Sequence, residues 1–404
     1  MADRYMLYTR VDDGGFDNGR EADIWTSPDG RVHTFIKIRP GHIYSYMVTA
    51  VNGGGESFPS EILSAGIPDN GSGLDSLFIV VNNFTRVSAP AWFDTPDIAG
   101  FNSSADAGMP YISDISYTGD MYEFRRSSGF RSNANPGFGA SSGEHSGRPV
   151  PGNTFDYTYT HGKAIFASGY PFCSASSAAF AADSTLYGAA GCRYAGGERR
   201  FFAADIICGE QVTTLTGKSG TAEKYRVFPA TLQNAIRTFT SRGGNILVSG
   251  SHIGTDIWDS IFPVETDSTF RAESIDFAED VLGYTWVTGH ASRTGVINFT
   301  DSPFQEAAKG SPSGTGMSRE ALPADWTVGS RTDIYRVVSP DGISPSNRHS
   351  YIISEYGDSR IPCGVCYPSP AGYKAVSFGF PLEAVAPGDG TDMIIYTTIK
   401  FFRQ

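Results

Sequence analysis

The hydrophobic pattern changes character once along the chain. Up to about residue 66 it alternates with the period of two that marks half-buried strands. Tyr5-Met6-Leu7-Tyr8 leads to a turn at Asp12-Asp13-Gly14-Gly15, a strand is expected over Val32 to Ile38, and the best alternating run is Tyr44 to Asn52. These runs predict an all-β module over residues 1–66. Residues 67–73, Ile67-Pro68-Asp69-Asn70-Gly71-Ser72-Gly73, form a linker of turn-forming residues where the alternation stops.

Beyond the linker the apolar residues come in unbroken blocks. Leu77 to Val81, Ala164 to Ala167, Ile206 to Cys208 and Ile246 to Val248 have the form of strands buried on both faces of a parallel sheet. Helical spacing lies between them, over Ala175 to Ala182 and over Pro229 to Phe239, the latter with proline in its first turn and Gly243-Gly244 past its end. Two strands, Cys363 to Tyr367 and Tyr373 to Phe378, and a helix over Met393 to Phe402 complete the chain. Strand, helix and strand in alternation predict an α/β domain over residues 74–404 with right-handed crossovers. A long insert, about residues 89–161, rich in Gly, Ser, Asn and aromatic residues, separates the first two predicted strands. Ordered loops of that size are uncommon and often functional.

Composition narrows the partners. A net charge of −12 disfavours a protein that grips phosphate backbones, so nucleic acid is not expected. No apolar stretch approaches the roughly 20 residues of a membrane span. With 47 glycines, 23 prolines and only 18% charged residues, the chain is rich in loops and suits an extracellular setting. Five cysteines are too few for a disulfide scaffold, although Cys173 and Cys192 could pair in an oxidising compartment. Cys363-Gly-Val-Cys366 has a metal-site spacing, but no second pair accompanies it, and its thiols fall on opposite faces of a strand. The seven histidines show neither HxH nor HExxH spacing, so no metal is expected. Gly217-Lys218-Ser219 ends like a phosphate loop but has Val212 where the first glycine belongs, and no cofactor is expected.

Ligands of open parallel sheets bind beyond the carboxyl ends of the strands. There the chain places Gly209-Glu210-Gln211, then Ser249-Gly250-Ser251-His252-Ile253-Gly254, then Gly379-Phe380-Pro381-Leu382-Glu383. The middle segment is a tight strand-to-helix turn. Ser251 is either a nucleophile on an elbow, next to amides that would stabilise an oxyanion, or the cap of the following helix. His252 or His145 would supply the base, and Glu210 faces the same rim. Asn153, Asp156 and Tyr157 in the insert form either a sugar-binding set or pins that hold the insert. Isolated His161 is expected to be structural. The insert leaves the sheet at its ligand-binding rim, so it is expected to fold over Ser251 and wall a pocket there, with Phe155 and Tyr157 close by.

Three resemblances follow from these residues. Ile38-Arg39-Pro40-Gly41-His42-Ile43-Tyr44, followed by Tyr46, Val48, Ala50 and Gly55 to Ser60, resembles the second half of a fibronectin type III domain, with Tyr44 at the tyrosine corner. The first strands of such a domain are absent, which implies that the chain begins inside a longer protein. The α/β part resembles the class I glutamine-amidotransferase-like fold, a flavodoxin-like parallel sheet. Ser251 replaces that family's elbow cysteine, and Gly379-Phe380-Pro381-Leu382-Glu383 carries no histidine, so glutamine hydrolysis is not implied. The whole layout, through Gly152 to Tyr157, His161-Gly162, Gly243 to Gly250, Ile253 to Asp256 and Gly379 to Pro381, resembles secreted proteins of Bacteroidota of the xanthan-lyase-like type.

That resemblance implies a secreted, periplasmic or cell-surface protein with a glycan or peptidoglycan ligand. A non-catalytic or degenerate α/β module is the expected function. The alternatives are a serine hydrolase using Ser251 and an adhesion or spacer protein. Ser251, His252 and Glu210 are the candidate catalytic residues; Asn153, Asp156, Tyr157, Gly209 and Gly250 are the candidate ligand contacts.

Overall fold

The computed structural model describes residues 2–57, 59–69, 76–84, 91–94, 99–102, 127, 129, 156–187, 193–194, 197–198, 201–209, 211, 214–215, 224–259, 268–308, 337, 340–385 and 389–404. Most of the insert, and with it Asn153, His145 and Phe155, lies outside the described residues. So do Cys192, Glu210 and Gly217 to Ser219.

The core is a parallel array of five strands, introduced here with the strands that precede them. β1 (Arg4–Val11), β2 (Ile24–Thr26), β3 (Val32–Thr34), β4 (His42–Asn52) and β5 (Leu63–Ile67) come from the N-terminal part. The parallel strands are β6 (Leu77–Asn82), β7 (Phe172–Ser176), β8 (Phe201–Gly209), β9 (Asn245–Gly250) and, after β10 (Ile297–Phe299), β11 (Tyr351–Tyr356) and β12 (Pro362–Pro368), β13 (Lys374–Phe378). Their spatial order is β7-β6-β8-β9-β13, or 2-1-3-4-5 when the parallel strands alone are counted along the chain. β12, β11 and β10 extend one side in antiparallel pairing. On the other side β5 pairs with β7 at Phe172 and Gly66, and β4 and β1 follow, so the N-terminal strands are hydrogen-bonded into the same sheet.

Helices cover both faces, which is why the parallel strands read as unbroken apolar blocks. α1 (Tyr157–Ala167) and α6 (Asp389–Arg403) cover one face, with α5 (Pro303–Ala308) beside them. Ala164 and Ile165 of α1 and Ile394, Ile395 and Ile399 of α6 pack there on Val80, Leu247 and Val376. α2 (Ser177–Ala182) and α3 (Ala230–Ser241) cover the other face, where Phe180, Leu232, Ile236 and Phe239 meet Ile79, Val81, Ile206, Ile246 and Val248. Ile79, Val80 and Val81 are fully buried, each contributing roughly 1.5–3 kcal/mol of transfer free energy.

Three local expectations are corrected. Ala164 to Ala167 is the last turn of α1 and not a strand, because Tyr157, Thr158, His161, Ala164 and Ile165 bury one helical stripe that begins well before the apolar block. The strand expected over Val32 to Ile38 stops at Thr34, opposite Ile24 where its antiparallel partner β2 begins, and Phe35 is 84% exposed. The helix expected from Ala175 begins at Ser177, since Ala175 and Ser176 belong to β7 and the Ser176 hydroxyl caps α2 by accepting the Ala179 N–H at 3.2 Å.

The Phe172 ring is wedged where the N-terminal strands meet the core, and only a glycine leaves room for it in α1. A Cβ on Gly162 would stand 2.1 Å from Phe172 Cε2. Gly162→Ala is therefore expected to lower stability by about 2 kcal/mol or more. Chemical denaturation measures this, and Phe172→Leu in the same chain should recover part of the loss.

Candidate functional site

The loops at the carboxyl ends of β6 and β8 enclose the place where the chain's crossovers diverge to opposite faces, the usual ligand crevice of such sheets. Asn82, Asn83 and Phe84 follow β6; Cys208 and Gly209 end β8. Asn83 Nδ2 donates to the Val227 carbonyl at 2.7 Å and approaches Cys208 Sγ at 3.5 Å. Phe84 is fully buried and stacks on Tyr157 at 6.0 Å between ring centroids. Gly209 has φ of +50°, and a Cβ there would lie 2.8 Å from the Phe84 ring. Gly250 is equally constrained, since its Cβ would lie 2.6 Å from that of Cys208. Gly209 and Tyr157 therefore pack against Phe84 just past the end of β6, and Gly250 packs against Cys208. Burial pushes the Cys208 thiol up to about 12, which leaves it protonated and unreactive at neutral pH.

Ser251 lies directly after β9, as an elbow requires, but its side chain is fully buried and its N–H donates to the Gly209 carbonyl at 2.8 Å. Among the described residues, positive φ outside glycine occurs only at Asp12 and Arg360, so Ser251 lacks the strained backbone of a nucleophile elbow. Half-buried His252 follows it. The next helix, α4 (Thr255–Trp258), is capped from far away in sequence: Asp341 accepts the N–H of Gly254 at 2.6 Å, that of Thr255 at 2.9 Å, the Thr255 hydroxyl and the Trp286 indole N–H at 3.2 Å. Asp341, not Ser251, therefore caps this helix. Burial raises the Asp341 carboxyl to about 6, against the opposing pull of His252 and of those hydrogen bonds.

Asp156 lies at the start of α1. It forms an ion pair with Arg10 of β1, and Arg10 also donates to Ser45 Oγ at 2.7 Å and lies 4.5 Å over the Tyr159 ring. Desolvation raises the Asp156 carboxyl and Arg10 opposes it. The ion pair lies at the junction of α1 with the N-terminal strands. Lys163 and Tyr159 bind Asp13 at the same junction, at 2.9 and 2.8 Å.

The sequence reading left two groups without partners: buried His161, expected to be structural, and half-buried Glu61. His161 lies on α1 under the sheet, with Nδ1 2.8 Å from Asp205 Oδ2 and Nε2 3.2 Å from Glu383 Oε2, and all three residues are at most 3% exposed. Burial alone would lower the affinity of the ring for its proton, but the charge and hydrogen bond of Asp205 and those of Glu383 prevail and raise it to about 10. Both ring nitrogens are engaged, so His161 cannot serve Ser251 as a base. The second group is Glu61, just before β5, which accepts a hydrogen bond from Asn82 Nδ2. Its only sequence signal is its place at the entry to a strand. Cys363 and Cys366 are buried in β12, burial raises both thiols, and no metal-binding group of three or more His, Cys, Asp or Glu side chains occurs among the described residues. No described helix is long and apolar enough to cross a membrane.

Compared with known proteins, the chain matches no family model and no curated protein.

The His161 cluster sets a pH dependence. Its raised affinity for protons stabilises the fold fully below about pH 6.5, and that contribution is lost as pH rises through about 10. Unfolding free energy should fall over that interval, and His161→Ala should remove the slope. The same variant strands two buried carboxylates and is expected to cost about 3–5 kcal/mol at neutral pH. Denaturant titrations at stepped pH measure both effects.

Proposed function

We propose that the chain is a non-catalytic α/β module joined to a partial fibronectin type III-like β module, acting in polysaccharide or peptidoglycan handling at a bacterial envelope or in secretion. The observation that carries the non-catalytic part is the closed elbow. Ser251 is fully buried, its amide is spent on Gly209, and its backbone is unstrained. An oxyanion hole needs free, aimed N–H donors, and this turn has committed the Ser251 N–H to the scaffold. Cys208 is held as a thiol, and His161 is locked between carboxylates.

The 2-1-3-4-5 order of the parallel strands supports the flavodoxin-like reading. Tyr44 supports the fibronectin-like one, because its hydroxyl accepts the Arg39 N–H at 3.3 Å, a bond to backbone just upstream as in a tyrosine corner. The glycan setting rests on the resemblance in sequence. A spacer role is the second reading, favoured by Phe84, which is fully buried against Gly209 at the carboxyl end of β6.

Incubation with a fluorophosphonate probe is expected to leave the intact mass of the protein unchanged, and Ser251→Ala should behave identically. A covalent adduct that disappears in Ser251→Ala would restore the hydrolase reading. A glycan array on the same sample separates the two proposed roles: retention of bacterial polysaccharides supports glycan handling, and a blank array supports the spacer.

A further inference from the structure

One strand of the N-terminal part ends before its β-forming sequence does. Val32-His33-Thr34-Phe35-Ile36-Lys37-Ile38 is rich in β-branched and aromatic residues, yet only Val32–Thr34 is strand, as far as β2 accompanies it. β3 pairs with β2 along one edge, with Trp25 opposite His33 and Thr26 opposite Val32. Along its other edge it has no partner strand among the described residues. From Phe35 to Ile38 no backbone N–H or carbonyl is hydrogen-bonded to a described residue. The segment stops at Pro40-Gly41, where Gly41 has φ of +86° and its N–H donates to the Ile67 carbonyl at 2.8 Å. Residues 32–38 therefore form an open edge.

That edge is both apolar and cationic. Val32, Phe35 and Ile36 are exposed, and Trp25, itself exposed, stacks on His33 at 4.3 Å and on Phe35 at 6.2 Å between ring centroids. Ser27 Oγ lies 3.0 Å from His33 Nε2 and fixes that ring. From Arg31 to Arg39 there are three Lys or Arg residues and no Asp or Glu, in a chain of net charge −12. Arg31 is paired with Asp29 and Asp183, whereas Lys37 and Arg39 have no ion-pair partner among the described residues. Unpaired strand edges template another strand, and these charges decide which. A second copy paired antiparallel about Phe35 would set Arg39 against Arg31 and Lys37 against His33, an unfavourable match. An acidic strand meets the same positions with attraction.

We propose that residues 32–38 are a docking edge for an extended acidic segment of another protein, one that alternates apolar residues with Asp or Glu. The guest strand adds to the free edge of β3 and carries the ladder on through Phe35 to Ile38, with main-chain hydrogen bonds supplying affinity. Its apolar side chains cover Phe35 and Ile36, and its carboxylates meet Lys37 and Arg39.

Fluorescence anisotropy tests it, with the full chain titrated into a labelled peptide of alternating Val and Glu as long as the open edge. Saturable binding is expected, weakened about tenfold or more between roughly 0.05 and 0.5 M salt, while a Val and Lys peptide of the same length should not bind. Successive amides of a strand point to opposite edges, so N-methylating one alternate set of peptide amides should abolish binding and methylating the other should spare it. Lys37→Glu, at an exposed position, should weaken the Val and Glu peptide about fivefold or more. Hydrogen–deuterium exchange should show residues 33–38 gaining protection only when that peptide is present. No saturable binding up to about 1 mM, equal effects of the two methylated sets, or protection confined to other residues overturns the proposal. A dimer seen by light scattering, with residues 33–38 protected in the absence of peptide, would give the edge to a second copy and overturn it as well.

Discussion

A positive charge held between two carboxylates, away from all solvent, organises the centre of this molecule. His161 reaches it from α1, Asp205 from the middle of β8, and Glu383 from the turn after β13. A buried ion is tolerated only when its partners are in place, so these three elements must arrive together. Replacing the cluster with apolar groups would cost less desolvation. The cluster instead specifies the angle of α1 on the sheet, since each ring nitrogen has one carboxylate oxygen to meet. α1 then determines more than its own seat. Its first turn carries Asp156 to Arg10 and Thr158 to Ile62, and Tyr159 and Lys163 meet Asp13, so the N-terminal strands dock on a helix whose orientation is already set.

The same economy of space closes the strand-end rim. Gly209 and Gly250 sit where a side chain would strike Phe84 or Cys208, which lets β8 and β9 end close together beside the Phe84 ring. That packing leaves Ser251 under cover. Asp341 removes the remaining need for a polar group at the elbow by satisfying the N–H groups that begin α4. Among the described residues, the rim is held together by these packed and hydrogen-bonded groups. Glu61, brought to the same end of the sheet by the N-terminal strands, accepts the Asn82 amide N–H there.

Burial was legible in the sequence, and identity of partner was not. The unbroken block Leu77 to Val81 can be satisfied only by cover on both faces, and the Tyr44 to Asn52 alternation only by a half-covered strand, so both elements and the layered α/β architecture follow from residue order. Gly209 and Gly250 could be singled out as special for the same local reason. Ala164 to Ala167 could not be assigned, because four apolar residues fit a strand or a helix turn equally, and the deciding stripe begins at Tyr157. Which residues complete a site depends on long closures. His161 meets groups 44 and 222 positions away, Gly254 meets one 87 positions away, and Asp156 was claimed by Arg10 rather than by the rim. A pattern of apolar and polar positions records how far each residue lies from water, and it carries no term for which distant charge stands opposite. That was decided by the sheet, whose strand order brought those charges face to face.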